Sequence, residues 1–236
     1  MTDEITTLES DESSPLHGFQ GDREQAPAPI IPLGPCVAIS REVGARGGEV
    51  ARRFGNKTGW PVYDAELLGY SSQDPGALDN VRAELPPEAD EWIEQRMQFL
   101  QQRGLLGNDP SFERVSRLIL ALGAKGDAVF VGRGAGFILP RASTLHVRMI
   151  APLPDRIAYM SQWLRLSRAE AEAQVAIREA KRAKFLEQCF HLSEGGIIYD
   201  MVLNSSALGE QLCADLIIQA LRCKRGSLFE DRGGAE

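Results

Sequence analysis

The chain has no long apolar run. Its longest stretches (VAI, AVFV, LILAL) fall far short of the roughly 20 residues that a membrane helix needs, so no membrane partner is expected. Cysteine is scarce: Cys36, Cys189, Cys213 and Cys223 show no metal-ligand spacing and are too few for a disulfide framework. They read as buried or half-buried thiols in a reducing compartment. His17, His146 and His191 are scattered, so a metal site built on protein nitrogen or sulfur is not expected. The opening MTDEITTLESDESS lacks the basic-then-apolar order of a secretory signal. These absences together lead to the expectation of a cytoplasmic protein. No basic stripe stands clear of acids, so a nucleic-acid partner is not expected either.

What remains is ordinary globular material. The 236 residues are 43% hydrophobic and 25% charged, which suits one domain with a tail. Net charge is −7, but residues 1–24 hold seven acids against the single Arg23. The acidity therefore belongs mostly to that end and does not argue against anionic ligands elsewhere. Residues 1–34 combine acids, serine and proline and are expected to be a disordered tail. The folded domain is expected over 35–223, and 224–236 reads as a frayed end.

Inside the domain, strand-like runs alternate with helical ones. Strands are expected at Pro35–Ser40, Trp60–Tyr63, Ala128–Val131, Thr144–Ile150 and Met201–Asn204. Helices are expected at residues 49–59, Pro87–Arg103, Ser111–Lys125, Pro154–Leu164, from Ser167 to about Phe190, and Gly209–Cys223. Ser167 and Glu170 form a capping box at the start of the long one. Trp92, Phe99 and Leu100, like Ile157, Met160 and Leu164, fall at helical spacing and read as core. The alternation predicts a three-layer α/β/α fold with a five-stranded parallel sheet, its strands buried on both faces.

In such sheets ligands bind beyond the carboxyl ends of the strands. Gly, Arg, Asp and Ser collect there: SREVGARGG, Asp64, Gly132-Arg133-Gly134 and Asn204-Ser205-Ser206. The first of these segments joins a strand, a glycine loop and a helix. Its amides and the helix N-terminus would attract a phosphate, with Gly44, Gly47 and Gly48 allowing close approach and Arg41 and Arg46 adding cationic forks. The strict G-x-x-x-x-G-K-[ST] pattern fails, because no lysine stands in the loop and Ser40, the nearby hydroxyl, precedes it. A plain strand-to-helix turn is the competing reading.

The order of AISREVGARGGEVARRF, GWPVYDAELL, VFVGRGAGFILPRASTLHVRMIAPLPDRI, LSRAEAEAQVAIREAKRAKF and YDMVLNSSAL resembles the cytidylate kinase-like family, a branch of the P-loop nucleoside monophosphate kinases. The resemblance runs from about Val37 to Leu221. It implies a P-loop kinase fold with helical lid and acceptor-binding segments. It also implies transfer of the ATP γ-phosphoryl group, with Mg²⁺, to a pyrimidine monophosphate such as CMP or dCMP. Ser40, Arg41, Gly44, Ala45, Arg46, Gly47 and Gly48 would then form the ATP phosphate loop. Arg133 would grip the acceptor phosphate; Arg114 or Arg117 would be a second acceptor-side arginine. Asp64 would either reach Mg²⁺ through water or cap the next helix. Arg178, Lys181, Arg182 and Lys184 match the mobile basic lid, with Arg178 and Arg182 joining Arg133 in catalysis.

The chain departs from its relatives in two places. Gly134 stands where an aspartate reads cytosine, and Ala180-Lys181 offers no lid aspartate. The lid has support of its own: residues 165–184 carry six bases and three acids, charge suited to closing over phosphates. An ordinary solvated helix face is the alternative. Two functions are therefore open: an active cytidylate kinase-like phosphotransferase, or a catalytically weak or inactive nucleotide-binding regulatory module of the same fold. A third is a fold relative with an unrelated protein partner.

Overall fold

Four-residue Ala128–Val131 is apolar throughout and buried at every position, because it lies in the middle of a sheet covered on both sides. The same holds for the first four residues of Cys36–Arg41. In this computed structural model, which describes residues 32–107, 109–190 and 198–230 (225–230 as backbone), these strands are β3 and β1. With β2 (Val62–Asp64), β4 (Thr144–Ile150) and β5 (Met201–Asn204) they form one parallel sheet in the order β2-β3-β1-β4-β5. The expected tail up to residue 31, the end beyond residue 230, His17 and His191 lie outside the described residues.

Strand alternation divides the core into two layers. Cys36, Ala38, Ala128 and Phe130 face helices α4 (Glu88–Gln102), α5 (Pro110–Lys125) and α6 (Ala135–Ile138). Val37, Ile39, Val129, Val131, Leu145, Val147 and Met149 face α1 (Gly47–Thr58) and α9 (Ser205–Glu230). This is the three-layer α/β/α arrangement. The core readings hold: Trp92, Leu100, Ile157 and Met160 are buried, and Phe99 and Leu164 are partly buried against them.

Two helices between β2 and α4 were not expected. Helix α2 (Ala65–Ser71) is capped by Asp64, which accepts from the amides of Glu66 and Leu67 at 3.0 and 2.8 Å. Helix α3 (Pro75–Arg82) is capped by Asp74 with proline in its first turn. Both are too short to show an apolar period. Beyond β4, α7 (Leu153–Leu164) leads to α8 (Arg168–Phe190). The Ser167–Glu170 capping box is formed in both directions. A smaller apolar cluster of Val43, Ile157, Met160, Ala171 and Val175 seats the first half of α8 on α7 and the β1–α1 loop. Helix α9 bends at Gly209, whose φ of 72° interrupts it after one turn capped by Asn204. It runs on to Glu230, past the expected end at Cys223.

From β1 the chain crosses to β2 on one side, and from β4 to β5 on the other. The segments leaving these adjacent strands diverge, which opens a crevice beyond their carboxyl ends.

Candidate functional site

The β1–α1 loop turns on two left-handed residues, Gly44 (φ 83°) and Arg46 (φ 55°). Gly44 is required: a Cβ there would lie 2.6 Å from the Arg156 carbonyl oxygen. Gly47 packs on the Arg41 side chain, whereas a Cβ at Gly48 would meet no atom within 4 Å. The open space is therefore at the N-terminus of α1. Ala45 is buried and its carbonyl accepts from Ser205 Oγ at 2.9 Å. Ser40 Oγ lies 3.2 Å from His146 Nε2, inside the sheet.

Three expected arginines converge on the rim. Arg41 ends β1, Arg133 follows β3 and Arg182 comes from α8. Burial pulls the Arg41 guanidinium down to about 10, and the charges of Arg182 and Arg133 push the same way while Asp64 and Glu179 oppose. Arg182 donates to the Arg41 carbonyl. Arg133 sits in the left-handed region at φ 52° and donates through Nε to Ala65 O at 3.0 Å. Its Nη2 would be 2.8 Å from a Cβ at Gly69, so Gly69 gives it room. Asp64 takes the capping role of its two alternatives.

The other expected residues lie elsewhere. Arg46 turns to Glu210 of α9 at 3.0 Å and stacks over the Tyr159 ring. Arg117 pairs with Glu94 and Glu113 between α4 and α5, and Arg114 is exposed on the same helix. Arg178, Lys181 and Lys184 are exposed, so α8 turns only Arg182 of its four basic lid residues inward.

Three residues that sequence reasoning did not single out hold the loop in place. Arg156 of α7 donates to Ala151 O at 3.0 Å and Val43 O at 3.3 Å, and pairs with Glu179 at 3.0 Å and Glu42 at 3.4 Å. Glu42 accepts from the Ala151 amide at 3.1 Å, tying the loop to the end of β4. Glu179 Oε1 accepts the Val43 amide at 2.6 Å. Glu179 and Arg182 fall on the inward stripe of α8 with Ala171, Val175 and Leu186. A charged pair on an otherwise apolar stripe was the available signal.

At Gly134 (φ 69°) a Cβ would lie 2.0 Å from Phe190 Cζ. Phe190 is itself buried among Phe112, Phe137 and Phe185. No side chain longer than hydrogen fits at position 134 while Phe190 stays.

The arrangement is a rim of arginines beside the exposed N-terminus of α1, the kind of setting that favours an anion. Within the loop itself, Glu179 already places a carboxylate on the Val43 amide.

A family model described as the cytidylate kinase-like family matches residues 36–207. An uncharacterized protein from Eubacterium ventriosum ATCC 27560 has a similar solved structure, with a TM-score of 0.62 and 19% identity, covering 80% of this chain and 98% of that one. The shikimate kinase of Bacteroides thetaiotaomicron aligns with a TM-score of 0.40 and 14% identity over 79% of this chain and 96% of its own. A curated uronate isomerase from Corynebacterium glutamicum is 29% identical over 93 residues, 39% of this chain. The chain spans 18% of that relative's length.

Proposed function

Because the chain belongs to the cytidylate kinase-like family and is a nucleotide kinase-like protein, we propose that it transfers the γ-phosphoryl group of ATP to a pyrimidine monophosphate, CMP or dCMP. The observation that carries this reading is the meeting of three arginines beside the β1–α1 loop: Arg182 donates to the Arg41 carbonyl, and the Arg41 guanidinium packs on Gly132, next to Arg133. Phosphoryl transfer asks little covalent work of a protein. It needs two anions held end to end and their repulsion offset.

In this reading the amides of Val43, Gly44 and residues 46–48 hold the donor phosphates, that of Ala45 being taken by the Glu42 carbonyl, with the open N-terminus of α1 at Gly48 as their seat. Glu179 is a stand-in anion at the Val43 amide, which supports the fit of that part of the loop to a phosphate. Mg²⁺ would supply charge neutralisation between the phosphates. Arg133 would hold the acceptor phosphate and Arg182 the group in transfer. Arg41, half-buried at the end of β1, would add to the positive field. Its ligands would be small nucleotides and its place the cytoplasm. Residues 35–223 would be the working unit, with 1–34 and 224–236 as appendages.

The test is ADP release from Mg-ATP with and without each monophosphate. CMP or dCMP is expected to raise it, and Arg133→Ala to remove at least about 100-fold of the stimulated rate. No stimulation by any monophosphate would end the kinase reading.

A second reading is a nucleotide-binding module with little transfer activity. Phe190 favours it, since it fills the space beside Gly134 where the relatives carry their base-reading aspartate. In that case ATP raises the melting temperature while no monophosphate stimulates ADP release.

A further inference from the structure

We propose that Glu179 is a built-in competitor for the phosphate loop, so that phosphate binding there and release of helix α8 are one event. The proposal rests on the reading of the β1–α1 loop as a phosphate site, and it adds a regulatory device to that site.

The Val43 amide has one proton, and it is spent on Glu179 Oε1 at 2.6 Å. An N–H of this kind serves one good acceptor at a time. The same carboxylate takes Arg156 Nη1 at 3.0 Å and lies 3.5 Å from Arg182 Nη1. It therefore satisfies an amide and two guanidiniums that a phosphate oxygen would otherwise draw on. A phosphate arriving at the loop meets a fixed negative charge in a partly buried site, where repulsion is poorly screened. Both anions cannot hold the position.

The carboxylate is carried by the element that would have to move. The first half of α8 is seated by Ala171 and Val175, and its end by Leu186, Cys189 and Phe190 in a different cluster. Between these two apolar anchors, Glu179 and Arg182 are the inward contacts: one to the Val43 amide, the other to the Arg41 carbonyl. Displacing Glu179 removes one of the polar ties of the middle of α8, the Arg182 bond to the Arg41 carbonyl being another. By reciprocity, whatever loosens α8 raises the loop's affinity for phosphate by the same factor.

A plain structural tie would behave differently. Removing it would leave anion affinity unchanged or lower it. The probe is inorganic tripolyphosphate, titrated by calorimetry into the full chain, because it needs neither a base pocket nor phosphoryl transfer. Glu179→Gln keeps an acceptor for the Val43 amide but removes the charge, and is expected to bind tripolyphosphate about 10-fold more tightly than the unaltered chain. Glu179→Ala is expected to gain at least as much.

Hydrogen exchange supplies the second readout. Tripolyphosphate is expected to speed exchange in residues 174–186 of the unaltered chain, and to change it little in Glu179→Ala. Equal or weaker binding by Glu179→Gln, greater protection of α8 on binding, or no binding by any of the three proteins would overturn the proposal. The kinase reading fails separately, through absent ADP release on adding CMP, and tighter tripolyphosphate binding by Glu179→Gln would survive that failure.

Discussion

The guanidinium of Arg41 rests directly against the α-carbon of Gly132: a Cβ at position 132 would lie 2.1 Å from Nη1. The β3 loop thus leaves out a side chain so that the last residue of β1 can turn inward beneath it. Gly132 also has φ 84°, which an L side chain adopts only under strain. Gly132→Ala is expected to destabilise the fold by about 2 kcal/mol and shift Arg41. Urea unfolding measures the first effect. Gly48→Ala is the control, since its Cβ meets nothing and sits in a helix, so no loss is expected. Equal losses in the two variants would mean that the contact with Arg41 does not matter.

Much of this architecture was legible because its strands are written as largely apolar runs; the expectation that all are buried on both faces fails at the sheet edges, where β2 is half-buried to exposed and Val202 of β5 is exposed. AVFV, TLHVRMI and MVLN gave β3, β4 and β5 their ends to the residue. Ser167 and Glu170 marked the start of α8 in the same local way. Helices α2 and α3 were not legible from period: seven and eight residues hold too few turns, though Asp64 and Asp74-Pro75 are cap signals.

The site was legible in part, and the reason is direction. Composition shows that arginines gather near the rim but not which way each one turns. Arg46 faces Glu210 and Arg117 faces Glu94, because acids on neighbouring helices are nearer than the crevice. Arg156 and Glu179 are 23 residues apart, and only the packing of α8 on α7 brings them together.

His146 makes stability depend on pH. Its ring lies in the sheet interior, against Phe137, Tyr199 and Ser40 Oγ, and a Cβ at Gly136 would fall 2.3 Å from Nε2. Burial pulls it down to about 4, outweighing the nearby Asp200 charge; Arg141, Lys224 and Arg148 add to the lowering. The folded protein therefore keeps the ring neutral where the unfolded chain has begun to protonate it. Its contribution is complete above the unfolded value of about 6.5 and is lost as pH falls from there to about 4. The loss amounts to about 3 kcal/mol across that window. His146→Phe, which cannot titrate, is expected to lose less stability between pH 7 and pH 4.5 than the unaltered chain. Parallel urea-stability curves for the two proteins would show that the imidazole is not held neutral.

Arg156 is the strut of the β1–α1 loop. Its side chain is 12% exposed and meets two carbonyls and two carboxylates from three segments of chain. Truncation leaves Glu42 without its cation, Glu179 with only Arg182 at 3.5 Å, and two carbonyls short of a donor. Arg156→Ala is expected to cost about 3 kcal/mol in urea unfolding. Arg156→Lys is expected to recover only part, because one ammonium cannot reach acceptors spread around a planar fork. A double-mutant cycle separates the causes. If the pair with Glu179 carries much of the cost, Arg156→Ala combined with Glu179→Gln falls short of the summed single losses by about 1 kcal/mol. Full additivity would mean that Arg156 acts through the Val43 and Ala151 carbonyls and Glu42 alone, and that its pairing with Glu179 contributes nothing to holding the loop.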